Sequence, residues 1–150
     1  MYFCDVNVLL EAFHPEATRH GVALKFLLRL LNGQEPFGWS SITLSAVVRI
    51  STSPGVFSVP ATVEEVLPFC NAIASSPKAI SLEPNPDVWA RFEQIVRISG
   101  ISGRRTTDAF FAALAIESRA KWVTWDRDFR SISGLRVLSV EEALSELGVA

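Results

Sequence analysis

Short apolar runs alternate with amphipathic stretches along the chain. Tyr2-Phe-Cys4 is an apolar run that ends in a carboxylate, Asp5, followed by Asn7 and Val8-Leu9-Leu10. Apolar runs this short, bounded by polar residues, read as buried strands. Asn7 to Phe13 predicts a short helix that Pro15 ends. Between Arg19 and Leu31, Val22, Phe26, Leu27, Leu30 and Leu31 recur at three-and-four spacing. That is the apolar stripe of a helix, with Asn32-Gly33 as its stop. Pro36-Phe-Gly-Trp39 is a weakly marked strand. Ser40 or Ser41 caps a helix over Ile42 to Ile50. Ser51 to Pro60, with two prolines and a glycine, reads as a loop.

The second half keeps the alternation. Thr62-Val-Glu-Glu65 matches a capping box and opens a helix to about Ala74, which Ser75-Ser-Pro77 breaks. Lys78 to Leu82 is a strand candidate. Asn85-Pro86 is a cap followed by a first-turn proline. It opens a helix through Trp89, Phe92, Val96 and Ser99, stopped by Gly100. Ile101 to Arg105 is a loop with two adjacent arginines. Thr106 or Thr107 caps an apolar helix from Asp108 to about Arg119. Lys121 to Thr124 is a strand, Trp125 to Ser133 a charged segment, and Leu135 to Ser139 a last strand. Ser139-Val-Glu-Glu142 opens a terminal helix. Strands alternating with helices predict an α/β fold, a three-layer α/β/α domain with a mostly parallel central sheet. No repeat, low-complexity tract or linker interrupts it, so residues 1–150 read as a single domain.

Composition narrows this picture. The chain has 150 residues, 49 % hydrophobic and 20 % charged, which is globular rather than disordered. Its net charge is -2 and its pI about 5.7. Proteins that coat nucleic acid are normally basic, so any contact with nucleic acid here is local or metal-mediated. Cys4 and Cys70 lie in apolar surroundings and are too few for a disulfide framework. They read as buried free thiols in a reducing compartment. Asp5 interrupts the N-terminal apolar stretch, which argues against a signal peptide. No apolar run approaches the roughly 18 residues that span a membrane. The expected location is the cytoplasm, with no membrane contact.

Candidate chemistry starts from Asp5. In open α/β sheets, sites form at the carboxyl ends of the strands. Asp5 sits at such an end, and Asp126 and Asp128 follow the strand that closes with Thr124. Asp108 lies in the first turn of a helix, where the dipole favours the ionised form. Taken singly, each is an ordinary cap, turn or loop aspartate. Gathered into one pocket, four carboxylates repel strongly and require protonation or a cation. Oxygen-only ligands suit Mg²⁺ or Mn²⁺ rather than Zn²⁺. Such a cation stabilises charge on a phosphoryl oxygen and lowers the pKa of water, the chemistry of phosphodiester hydrolysis. Arg104 and Arg105 precede Asp108 and are candidates for holding phosphates at the rim. His14 and His20 lack partners at metal spacing and read as surface or partly buried. No G-x-S-x-G and no glycine-rich phosphate loop is present. Trp39, Trp89, Trp122 and Trp125 read as core or partner contacts rather than base-stacking platforms.

Four motifs in this order resemble the PIN-domain ribonucleases, most closely the VapC-type toxins of bacterial toxin–antitoxin pairs. They are Phe3-Cys-Asp-Val-Asn-Val-Leu-Leu10, Ser45-Ala-Val-Val-Arg-Ile50, Thr107-Asp-Ala-Phe-Phe-Ala-Ala-Leu-Ala115 and Val123-Thr-Trp-Asp-Arg-Asp-Phe129. The resemblance implies that Asp5, Asp108 and Asp126 are acids of a Mg²⁺ site, with Asp128 a supporting acid. It places Thr124 near the metal pocket and has Asn7 help hold Asp5. It also implies cleavage of RNA of the tRNA or rRNA class, arrest of translation, a homodimer, and a cognate VapB-type antitoxin. One position departs from the pattern. The family helix carries Glu three residues before its Arg, and here Ala46 precedes Arg49.

Ala46 motivates a rival reading, a catalytically weak PIN-fold module that binds RNA or a partner without cutting. A phosphatase of the haloacid-dehalogenase type also opens on a strand and an Asp, but its acid/base would stand at Asn7. The apolar residues around Phe13, Leu27, Ile50 and Phe57 are numerous for so small a chain and predict a surface that another subunit or an antitoxin covers.

Overall fold

The structure, a computed structural model, describes residues 1–149. Five strands alternate with helices: β1 (Tyr2–Cys4), β2 (Phe37–Trp39), β3 (Ala79–Ser81), β4 (Lys121–Val123) and β5 (Val137–Leu138). The helices are α1 (Val6–Phe13), α2 (His20–Asn32), α3 (Ser41–Ser51), α4 (Val63–Ala74), α5 (Pro86–Ser99), α6 (Thr106–Glu117) and α7 (Val140–Glu146). The strands form one sheet in the order β3-β2-β1-β4-β5. Every pairing is parallel, one step beyond the mostly parallel sheet expected. Among the described residues no helix is long and apolar enough to cross a membrane.

β1 is central, and all three of its residues are buried, so both faces of the sheet are covered. Alternation along the strand separates those faces. Tyr2 meets Phe26 of α2 edge-on at 6.0 Å. Phe3, one residue on, meets Trp122 of β4 at 4.9 Å, and Trp122 stacks on Phe111 of α6 at 5.7 Å. α2 therefore packs on one face and α6 on the other. Gly38 in β2 lies close to Leu82, whose side chain would have to shift to admit a Cβ there. Gly100 ends α5 in the left-handed conformation, φ 65°, which glycine adopts without steric cost.

Most predicted boundaries stand within one or two residues, because they rest on local caps. Thr62 and Glu65 form the reciprocal capping box, as do Ser139 and Glu142. Asn85 accepts from the N–H groups of Asp87 and Val88. Ser40 rather than Ser41 caps α3, with Thr43 closing the box. The start of α6 differs from expectation. Neither Thr106 nor Thr107 caps it; a 3-10 turn, Gly103–Arg105, runs directly into the helix, and Thr106 Oγ1 donates back to Gly103 O. His14 is more enclosed than expected, 5 % exposed. It stacks on Phe57 at 3.4 Å and its Nε2 lies 3.0 Å from Ser51 Oγ. Cys4 and Cys70 are buried free thiols, and burial pushes the Cys4 thiol up to about 12. Leu27 is buried, and the exposed large apolar side chains among the described residues are Val22, Leu28, Val56, Val59, Val63, Leu67, Ile80, Trp89 and Ile98.

Candidate active site

β1 ends at Cys4 and α1 starts at Val6, leaving Asp5 as the joint between them. Asp5 occupies the N-cap position, yet its side chain caps nothing. The carboxylate is held elsewhere. Its Oδ2 accepts from Thr124 Oγ1 at 2.6 Å and from Asn7 Nδ2 at 2.9 Å. This follows from the sheet, because Cys4 is in register with Val123 and the Asp5 N–H donates to Val123 O at 2.9 Å. Thr124 thus lands beside Asp5. Its hydroxyl also accepts from Asn7 Nδ2 at 2.9 Å and from the Asp126 N–H at 3.0 Å. One buried hydroxyl ties the ends of β1 and β4 together. Asn7 Oδ1 is buried and has no donor.

Asp5, Asp108 and Asp126 line one cleft of about 610 Å³. Burial raises the Asp5 carboxyl to about 6, against the lowering by the Thr124 bond and with a further push from the charge of Asp108. Burial also raises Asp108, followed by repulsion from Asp126, while Arg105 opposes the shift. Asp128 does not line the cleft. Its side chain is 68 % exposed and faces Arg105 Nη2 at 3.7 Å. Its backbone N–H donates to Asp126 Oδ1 at 2.9 Å. Asp128 thus holds Asp126 through the main chain, and its carboxylate belongs to the rim. Arg104 and Arg105 are exposed and outside the cleft lining.

The opposite wall is α3, which contributes Ile42, Ser45, Ala46, Arg49 and Ile50. Ala46 therefore shares the cleft with the acids, at the position where the E-x-x-R pattern carries Glu. Arg49 lines the same cleft and has no ion pair among the described residues. Arg49 was legible in the E-x-x-R step but absent from the acid pattern. Phe111 and Phe129, also in the lining, fall inside two of the quoted motifs but carry no chemistry that marks them as site residues.

As the side chains stand, among the described residues no three His, Cys, Asp or Glu groups are gathered closely enough to hold an ion. The donor set nevertheless fits a hard divalent cation. It is oxygen-only, two of its carboxyls are raised by burial and mutual repulsion, and a buried carbonyl oxygen of Asn7 stands unpartnered beside them. A cation offsets the repulsion that otherwise favours protonation.

Known proteins share the sequence pattern and the fold of this chain. The PIN domain model matches residues 2–135. Ribonuclease VapC43 of Mycobacterium tuberculosis is 32 % identical over 136 residues, spanning 91 % of this chain and 92 % of the relative. Among solved structures, VapBC2 from Rickettsia felis bound to a promoter DNA fragment superposes with a TM-score of 0.66 at 17 % identity, covering 92 % of this chain and 97 % of that one. M. tuberculosis VapC20, described as a sarcin–ricin loop cleaving toxin, gives 0.65 at 15 % identity, covering 91 % and 99 %. The four motifs, the parallel sheet that brings three of their aspartates into one cleft, and these matches give one result: the chain belongs to the PIN-domain family, among the VapC ribonucleases.

Proposed function

We propose that this chain is a Mg²⁺-dependent endoribonuclease, the toxin of a toxin–antitoxin pair that arrests translation by cutting structured RNA. The observation that carries the reading is the single cleft shared by Asp5, Asp108 and Asp126, with two of these carboxyls raised. A divalent cation in this cleft, Mg²⁺ or Mn²⁺, supplies the charge that stabilises a phosphodiester during hydrolysis. Asp5, Asp108 and Asp126 are its ligands. Thr124 and Asn7 fix the Asp5 carboxylate in one orientation. Asp128 orients Asp126 through its backbone, and its carboxylate supports the site from the rim. Arg104 and Arg105 hold phosphates of the incoming strand.

The partners follow from the relatives. VapBC complexes among the fold neighbours support a VapB-type antitoxin, and a homodimer is the assembly we expect. VapC20 is described as cleaving the sarcin–ricin loop, which, of the expected tRNA and ribosomal RNA classes, supports ribosomal RNA here. Ala46 in the cleft wall favours a second reading, a PIN-fold module that binds RNA without cutting.

Purified, antitoxin-free protein incubated with structured RNAs, with Mg²⁺ or with EDTA, separates the two. EDTA-sensitive products that Asp5→Ala and Asp108→Ala both abolish are expected. Undiminished cleavage by both variants overturns the site assignment. Binding without products favours the second reading.

A further inference from the structure

Trp89 is 56 % exposed, whereas Trp122 of β4 is fully buried. It lies in the first turn of α5, whose start is fixed by the Asn85 cap. Its ring is tilted on Phe92 at 5.3 Å, and Phe92 meets Phe110 of α6 edge-on at 5.8 Å. With Thr106 and Thr107 these rings line a shallow cleft of about 290 Å³. Thr107 also lines the acid cleft, next to Asp108. The aromatic cleft and the acid cleft therefore adjoin across one residue. The turn leading into Thr106 carries Arg104 and Arg105, both exposed. Of the two, Arg105 has an ion partner, Asp128; Arg104 has none among the described residues.

An exposed ring backed by two others, beside a pair of arginines, is the chemistry that single-stranded nucleic acid requires. Bases stack on the ring faces and cations follow the backbone. Phosphate and base supply complementary charge and shape to this surface, and continuity with the acid cleft places them beside the reacting position. We infer that the cleft of Trp89, Phe92 and Phe110 is a substrate subsite. It takes an unpaired nucleobase of the RNA flanking the scissile phosphate, stacked on Trp89, while Arg104 and Arg105 hold the adjoining phosphates. The inference rests on the ribonuclease reading above and names where that substrate is gripped. Of the two roles that sequence pattern assigned to Trp89, core and partner contact, its exposure removes the first.

The test measures binding of a short, unstructured, fluorescein-labelled RNA in EDTA, so that no cleavage is needed, together with the oligomeric state of each protein. Trp89→Ala is expected to weaken binding about 5- to 150-fold, the range of one stacked base. Trp89→Phe retains most of the affinity and Trp89→Leu does not, because stacking needs a ring. Arg104→Ala weakens binding further and flattens its salt dependence. Equal affinity across the three Trp89 variants overturns the inference while leaving the ribonuclease reading intact. If Trp89→Leu matches Trp89→Phe and Trp89→Ala changes the oligomeric state, the surface is an apolar interface between copies, and the inference fails. If the unsubstituted chain neither binds nor cuts RNA, both readings fall together.

Discussion

Replacing Asp5 by Asn should make the metal-free protein more stable at neutral pH while abolishing its cleavage activity. Asp5 is 7 % exposed, and its carboxyl is raised from 3.8 to about 6, chiefly by burial. At roughly 1.4 kcal/mol per pKa unit, the ionised side chain costs the fold about 3 kcal/mol once the pH exceeds 6. The sign follows from proton binding. Between about pH 4 and pH 6 the unfolded chain releases this proton and the folded chain keeps it, so stability falls as pH rises. The amide of the Asp5→Asn variant has no proton to release. The stability difference between variant and parent should therefore grow by about 2 kcal/mol from about pH 4 to pH 7. An amide oxygen still accepts from Thr124 and Asn7, so the packing is kept. The assay is urea denaturation in EDTA at a series of pH values, read as the difference between the two proteins so that other titrations cancel. Saturating Mg²⁺ should then restore the parent by mass action and leave the variant nearly unchanged. A pH-independent difference would show that Asp5 ionises normally in the fold. Equal stabilisation of both proteins by Mg²⁺ would remove Asp5 from the cation site.

Three further outcomes follow from the same geometry. Thr124→Val removes the 2.6 Å donor to Asp5 and the acceptor for the Asp126 N–H; it should cost about 2 kcal/mol above pH 7 and less at pH 4, measured by denaturation, and should slow cleavage. A loss independent of pH would mean that the bond to the carboxylate contributes little. Ala46→Glu adds a fourth carboxylate to the cleft wall and should tighten Mn²⁺ binding roughly tenfold or more by calorimetry, while lowering metal-free stability; unchanged affinity would place residue 46 out of reach of the ion. Asn85→Ala removes the acceptor for the Asp87 and Val88 N–H groups and should cost about 1 kcal/mol, seen as a melting temperature lower by about 2–4 °C.

Residue order alone reveals what is local. Helix starts were readable because Thr62–Glu65, Asn85–Pro86 and Ser139–Glu142 satisfy their own backbone N–H groups within one turn. Strand positions were readable because buried parallel strands are short apolar runs, and each acid's place at a strand end or helix start came with them. The family motifs added that three of these acids act together. How they meet depends on contacts far apart in the chain. Asp5 and Thr124 are joined by a hydrogen bond across 119 positions of chain, and hydrophobic periodicity carries no information about which strand lies beside which. The order that sets β4 beside β1 makes Thr124 the hub of the site. The packing that brings α3 across the cleft makes Ala46 and Arg49 its far wall. Asp128, equivalent to Asp126 by sequence pattern, is turned to the rim, because a 3-10 turn begins at Arg127 and Arg105 stands outside to meet it. Residue type and spacing fixed which groups were available. Non-local strand pairing and helix packing fixed which of them face each other.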